Sequence, residues 1–148
     1  QMRLFPKNSK EIMGAIQLPL SEVARLAGVT PRQVRYWEKK GLLKSHQDGK
    51  NANHKFTIFA ILDAMRIKDY LDQGFTLQAA GEKLDKYKDL LRALRRFYRE
   101  RLVAVDQTDQ SIEINLGPLS GDQTKVVVAS VVPGKPVEIK LKKHQPLD

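Results

Sequence analysis

The chain has no cysteine among its 148 residues. Structural disulfides, zinc held by thiolates and a thiol redox sensor are therefore excluded. Histidines are few. His46, His54 and His144 have no second histidine or carboxylate at ligand spacing, so neither a metal nor another cofactor is expected. No segment approaches the roughly eighteen apolar residues of a membrane span, and residues 1–20 lack the apolar core and cleavage site of a secretion signal. A soluble cytoplasmic protein with no membrane partner is the expectation. Glycine-rich phosphate loops after a strand, nucleophile elbows and acidic pairs in apolar surroundings are absent as well, so an enzyme is not expected.

What the chain does have is positive charge, a formal +9 that is spread unevenly. Residues 1–105 hold 21 Lys/Arg against 11 Asp/Glu, and residues 106–148 hold 5 against 6. The cationic part calls for a polyanionic partner. A chain of this length buries a modest core in one or two domains and leaves no room for a large second domain.

Within the cationic part, residues 20–41 read as two short helices joined by a glycine turn, a helix-turn-helix that predicts binding to double-stranded DNA. The second helix is punctuated at both ends. Thr30 caps it, Pro31 suits its first position, Gln33 completes a capping box, and Gly41 supplies a left-handed stop. At about 100° per residue, Arg32, Arg35, Tyr36 and Lys39 share one arc while Val34 and Trp37 face the other way. A solvated basic face on a core helix is the alternative reading, but the aligned arginines and tyrosine on so short a capped helix favour insertion into the major groove.

Residues 42–56 carry an Asp48-Gly49 turn between polar, basic flanks and read as a β-hairpin wing, with Lys44, Lys50, Asn53, His54 and Lys55 placed for phosphates. The candidate DNA-contacting set is Ser21, Thr30, Arg32, Gln33, Arg35, Tyr36, Lys39 and Lys40 from the helices, with Lys50, Asn53, His54 and Lys55 from the wing. Residues 2–19 suit either a short packed helix or a partly ordered extension. Helical spacing predicts a helix from Ile58 to Gln73, a shorter one from Thr76 to about Leu84, and a third over 86–105. In that third helix Tyr87, Leu91, Leu94, Tyr98, Leu102 and Val105 recur at steps of four and three, flanked by Leu90 and Phe97, a seam that suits a partner helix. After Asp106 the period changes. Three antiparallel strands are predicted around Ile112–Leu116, Val126–Val132 and Val137–Leu141, too small a unit to bury its own core. The domains are thus an extension (1–19), a winged helix-turn-helix (20–85), a dimerisation helix (86–105) and a β-rich segment (106–148). The fold class is mainly α with a small C-terminal antiparallel sheet.

This order of parts resembles the MerR family of bacterial transcription regulators over about residues 20–105. The resemblance rests on Val34-Arg-Tyr-Trp-Glu-Lys-Lys-Gly-Leu-Leu43, similar to the family's Leu-Arg-Tyr-Tyr-(acidic)-x-x-Gly-Leu-(Leu/Ile) signature, on Ser21-Glu-Val-Ala-Arg-Leu-Ala-Gly-Val29, and on Asp72-Gln-Gly-Phe-Thr-Leu77. It implies a homodimer whose long helices pair antiparallel, a palindromic operator, distortion of promoter DNA and RNA polymerase as a further partner. Arg32, Arg35 and Tyr36 then become groove and phosphate contacts. The chain departs from the pattern at Trp37, in place of a second tyrosine, and in the wing, where Ala52-Asn53-His54 replaces Gly-Tyr-Arg. Past the seam it has neither the cysteines of the metal- and redox-sensing branches nor the length of the drug-binding ones, which leaves the effector open. Alternatives to a sequence-specific regulator are an architectural DNA-binding protein and an interaction module that uses the β-rich segment.

Overall fold

The computed structural model describes residues 5–144; the start of the predicted extension, with Leu4, lies outside them. The chain divides into two units, Phe5–Asp89 and the part from Leu90 onward.

In the first unit, α1 (Ser9–Ala15) and β1 (Gln17–Pro19) precede the helix-turn-helix pair α2 (Leu20–Ala27) and α3 (Pro31–Lys39). The described part of the leader therefore holds a short helix, and its last residues form a strand. β1 pairs antiparallel with β2 (Lys55–Thr57), setting Leu18 opposite Phe56. Then come α4 (Ile58–Asp72) and the start of α5 (Leu77–Arg101). Val23, Val34, Trp37, Phe56, Ile67 and Leu84 are almost wholly buried and form the centre of one core. Gly28, at φ +70°, ends α2 in the left-handed conformation that glycine adopts without a Cβ penalty.

Two helices were expected across residues 76–105, and one is found. Nothing between Leu84 and Tyr87 breaks a helix: Asp85 and Lys86 carry neither a ring nor a missing Cβ, so α5 runs unbroken to Arg101. It starts where the Thr76 hydroxyl accepts the Ala79 N–H at 3.1 Å.

The second unit takes the end of α5 and a four-stranded antiparallel sheet in the order β3 (Ala104–Gln107), β4 (Ile112–Leu119), β5 (Asp122–Val131), β6 (Glu138–Lys143). The predicted three strands gain a fourth. Val105, expected at the end of the helical seam, lies on β3 opposite Ile114. Leu102 falls just past α5, its N–H still donating to the Tyr98 carbonyl at 3.0 Å. The Val103 amide goes instead to the Asn115 carbonyl, which turns the chain from helix into sheet. Gly117, at φ +78°, sits where the β4–β5 register shifts, and a Cβ there would stand 3.0 Å from Val103 Cγ2.

Candidate nucleic-acid interface

The turn between α2 and α3 is built from the predicted capping box. The Gln33 N–H donates to Thr30 Oγ1 at 3.1 Å, and the Thr30 N–H donates to Gln33 Oε1 at 2.9 Å. Two otherwise orphaned donors at the head of α3 are satisfied, fixing the helix start and its rotation about its axis. That rotation buries Val34 and Trp37 and exposes Arg32, Arg35, Tyr36 and Lys39. Lys40, just past the helix, places its ammonium 5.5 Å from the Tyr36 ring centre. Ser21 is exposed in the first turn of α2. Beside it, the Glu22–Arg25 ion pair at 2.7 Å holds the Glu22 carboxyl below the usual carboxylate range, chiefly through the hydrogen bond from Arg25.

The predicted wing is a loop closed by a single antiparallel bridge between His46 and Lys55. Beyond that bridge its second arm enters β2, whose partner is β1 rather than the first arm. The loop is held mostly by its own side chains. Gln47 Nε2 donates to the Ala52 carbonyl at 2.7 Å, and His46 Nε2 meets Asp48 Oδ1 at 2.8 Å, the carboxylate neighbour that spacing alone did not suggest. Lys44, Lys50, Asn53 and Lys55 are exposed.

His54 is placed differently from the other expected phosphate contacts. Its Nδ1 lies 2.5 Å from Glu38 Oε1 and 3.0 Å from the Ser45 hydroxyl, which itself donates to Glu38. The loop is thereby tied to the last turn of α3. A shallow cleft lies at this junction, with Ser21, Arg35, Glu38, Asn53 and His54 among its walls. Glu38, Ser45 and Gln47 were not anticipated as parts of this surface. The sequence signals for Glu38 were the acidic position it fills in the signature of residues 34–43 and its place about 60° around the helix from Arg35, on an otherwise basic arc.

Of the six expected seam residues, Tyr87, Leu91, Tyr98, Leu102 and Val105 are half-buried by their own chain. Arg66 stacks its guanidinium 3.7 Å from the Tyr87 ring centre, and Lys88 meets Asp63 at 3.0 Å, so these positions of α5 are already engaged with α4. The exposed row is Leu90, Leu94 and Phe97, each more than half accessible.

A capped basic helix on a small helical core, with a tethered polar loop beside it, defines a DNA-binding transcription regulator of the helix-turn-helix class. Residues 18–87 match the MerR HTH family regulatory protein domain. Two curated relatives are similar over 94 residues, spanning 64% of this chain and 70% of each relative: the HTH-type transcriptional regulator CueR of Escherichia coli O6:H1, at 27% identity, and that of Escherichia coli O157:H7, at 26%. A solved structure of a MerR-family transcriptional regulator from Bacillus cereus covers 55% of this chain and 71% of its own, at 20% identity and a TM-score of 0.41. These relatives are regulators rather than enzymes. Among the described residues no helix is long and apolar enough to cross a membrane.

Proposed function

We propose that the protein binds a palindromic operator as a homodimer, with α3 in the major groove and the 42–56 loop acting as the wing on the flanking backbone. The observation that carries this reading is the division of α3 into a buried Val34/Trp37 side and an exposed Arg32/Arg35/Tyr36/Lys39 side. A helix fixed on its core by two side chains presents the opposite arc to a ligand, and arginines there suit guanine edges and phosphates.

A single recognition helix contacts too few base pairs for operator specificity, and two copies related by a two-fold axis double the contact. The exposed Leu90/Leu94/Phe97 row, at helical spacing, is the seam we assign to the partner's α5. By the family resemblance, binding distorts promoter DNA and brings the dimer into contact with RNA polymerase. Footprinting on sites selected from genomic fragments tests this: the expected result is one protected segment with two symmetric halves about one helical turn apart. Uniform protection of unrelated sequences would favour an architectural role instead.

A further inference from the structure

The four-stranded sheet has one mostly aliphatic face and one that mixes charged residues with Val126 and Val128. Across its strands Val105, Ile114, Ala129 and Ile139 lie opposite one another, flanked by the pairs Val127–Leu141 and Ile112–Val131. Residues directly opposite one another share a face. The reverse face holds Glu113, Glu138, Lys140 and Lys142, tied by the Lys142–Glu113 contact at 2.6 Å and the Lys140–Glu138 contact at 2.9 Å. On that reverse face Lys142 and Lys140 lie opposite Val126 and Val128, which are buried within the chain. On the mostly aliphatic face Ile139 is 64% exposed, Leu141 56% and Ile112 36%. Ala129 is buried and Val105, Ile114, Val127 and Val131 are half-buried, so among the described residues the uncovered part of this face is its β6 side and Ile112.

We propose that the occupant is the same face of a second copy, so that two sheets close into a β-sandwich across the two-fold axis. The inference rests on the two-copy reading above and adds a contact to it. Three observations favour this partner. The first is charge: the central row and both flanking pairs are neutral and aliphatic, and the cations that share the face, Lys125 and Lys143, lie together at one end of it with Lys125 paired to Asp122 at 3.1 Å, so the middle of the face matches a second aliphatic sheet about 10 Å away in shape and chemistry. The second is the edge. The outer strand β6 carries Lys140, Lys142 and Lys143, a pattern that discourages addition of a further strand, and the other outer strand, β3, is only 4 residues long, so association by the face is favoured over association by either edge.

The third is area. Four strands about 4.8 Å apart, with about five residues of each, give a face of roughly 300 Å², or roughly 600 Å² for two copies. A stable specific interface buries about 1,200 Å² or more. The sheets therefore supply part of a dimer interface, and the Leu90/Leu94/Phe97 row supplies the remainder. An isologous contact of this kind requires a self-complementary patch, which the alignment of like side chains across all four strands provides.

The test is sedimentation equilibrium of the full chain and of three variants. Ile139→Glu/Leu141→Glu places carboxylates on exposed positions of β6 and should leave the sheet intact by circular dichroism, while raising the dimer dissociation constant roughly a hundredfold, because carboxylates would have to be buried against the partner. Lys140→Gln/Lys142→Gln, on the reverse face, should leave the constant unchanged. Leu94→Asp reports separately on the helix seam. Equal dissociation constants for wild type and Ile139→Glu/Leu141→Glu would overturn the sandwich while leaving the helix-paired regulator standing. An equally large effect of the reverse-face pair would also overturn it. A wild type that stays monomeric at all concentrations would overturn both readings.

Discussion

Glu38 on the recognition helix and His54 on the following loop are bound to each other, Glu38 Oε1 to His54 Nδ1 at 2.5 Å, across sixteen residues of sequence. Ser45 closes the cluster from the other arm of the loop. The loop thus keeps a fixed place beside α3 before any DNA is bound. Ordering it on binding would cost conformational entropy, and the tether removes much of that cost in advance.

If the tether holds the loop, Glu38→Ala should raise amide exchange across residues 46–55 by about tenfold, the equivalent of one lost hydrogen bond of about 1.4 kcal/mol. Glu38→Gln keeps an acceptor at Oε1 and should stay closer to wild type. Indistinguishable exchange in Glu38→Ala would show that the Gln47 and His46 contacts suffice.

Arg35 stands at the edge of the exposed arc of α3 nearest Glu38 and on the wall of the cleft. Arg35→Ala should weaken specific binding by about 1 to 3 kcal/mol if the guanidinium reads a base edge, with relaxed discrimination at one operator position. If it contacts phosphate alone, the loss should be similar on all sequences and the salt dependence shallower by about one counterion. Titrations at several salt concentrations, on operator and scrambled duplexes, separate the two. Unchanged affinity on both would remove α3 from the groove.

Gly81 is buried in α5 where Leu42, just past α3, packs on it; a Cβ at Gly81 would stand 2.7 Å from Leu42 Cδ2. Gly81→Ala should therefore destabilise by about 1 kcal/mol in spite of its better helix propensity, because Leu42 must leave its rotamer. In a Leu42→Ala background the same change should turn stabilising, by up to about 1 kcal/mol. Denaturant midpoints of the four proteins measure that coupling. Additive effects would mean that Leu42 moves aside freely.

The sheet should be acid-sensitive. Glu113 is held below its ordinary range by the hydrogen bond from Lys142, and Glu138 likewise by Lys140. Asp122 is lowered by the Thr124 hydroxyl and then by Lys125. Carboxyls whose folded-state values are depressed contribute stability that is present above their unfolded values, about 4, and is lost as the pH falls through the lower folded ones. Near-neutral pH should leave the sheet unaffected, and melting temperature should decline below about pH 4. Glu113→Gln should remove part of that decline. Glu138 is exposed and Glu113 and Asp122 are half-buried, with all three reaching solvent, so the effect should also shrink in high salt.

The recognition element was legible because its determinants are local. Thr30, Pro31, Gln33 and Gly41 act within one helix, and the Val34/Trp37 side follows from helical periodicity. What could not be read depends on contacts distant in sequence. The three residues of β1 and of β2 are too short to show alternation, and each is a strand because the other is there. Val105 fits a four-three helical step and an alternating strand equally well, and the amide of Val103 turning to Asn115 decided between them. The pairing of Glu38 with His54 left no periodic trace at all. The seam was legible as apolar, but which of its residues α4 already occupies was not, since that depends on Arg66 and Asp63 a full helix earlier.

The β1–β2 pairing also bears on the order in which the protein comes into being. During synthesis Leu18 emerges about forty residues before its partner Phe56 exists. The leader strand and α2 must therefore wait, with Val23 and Ala24 uncovered, until the ribosome has passed the loop. Closure of the first core is thus a late, non-local event for so small a unit. Codon changes that slow translation just before residue 56 would lengthen that interval, and the nascent chain would be open to proteases and chaperones for as long as it lasted.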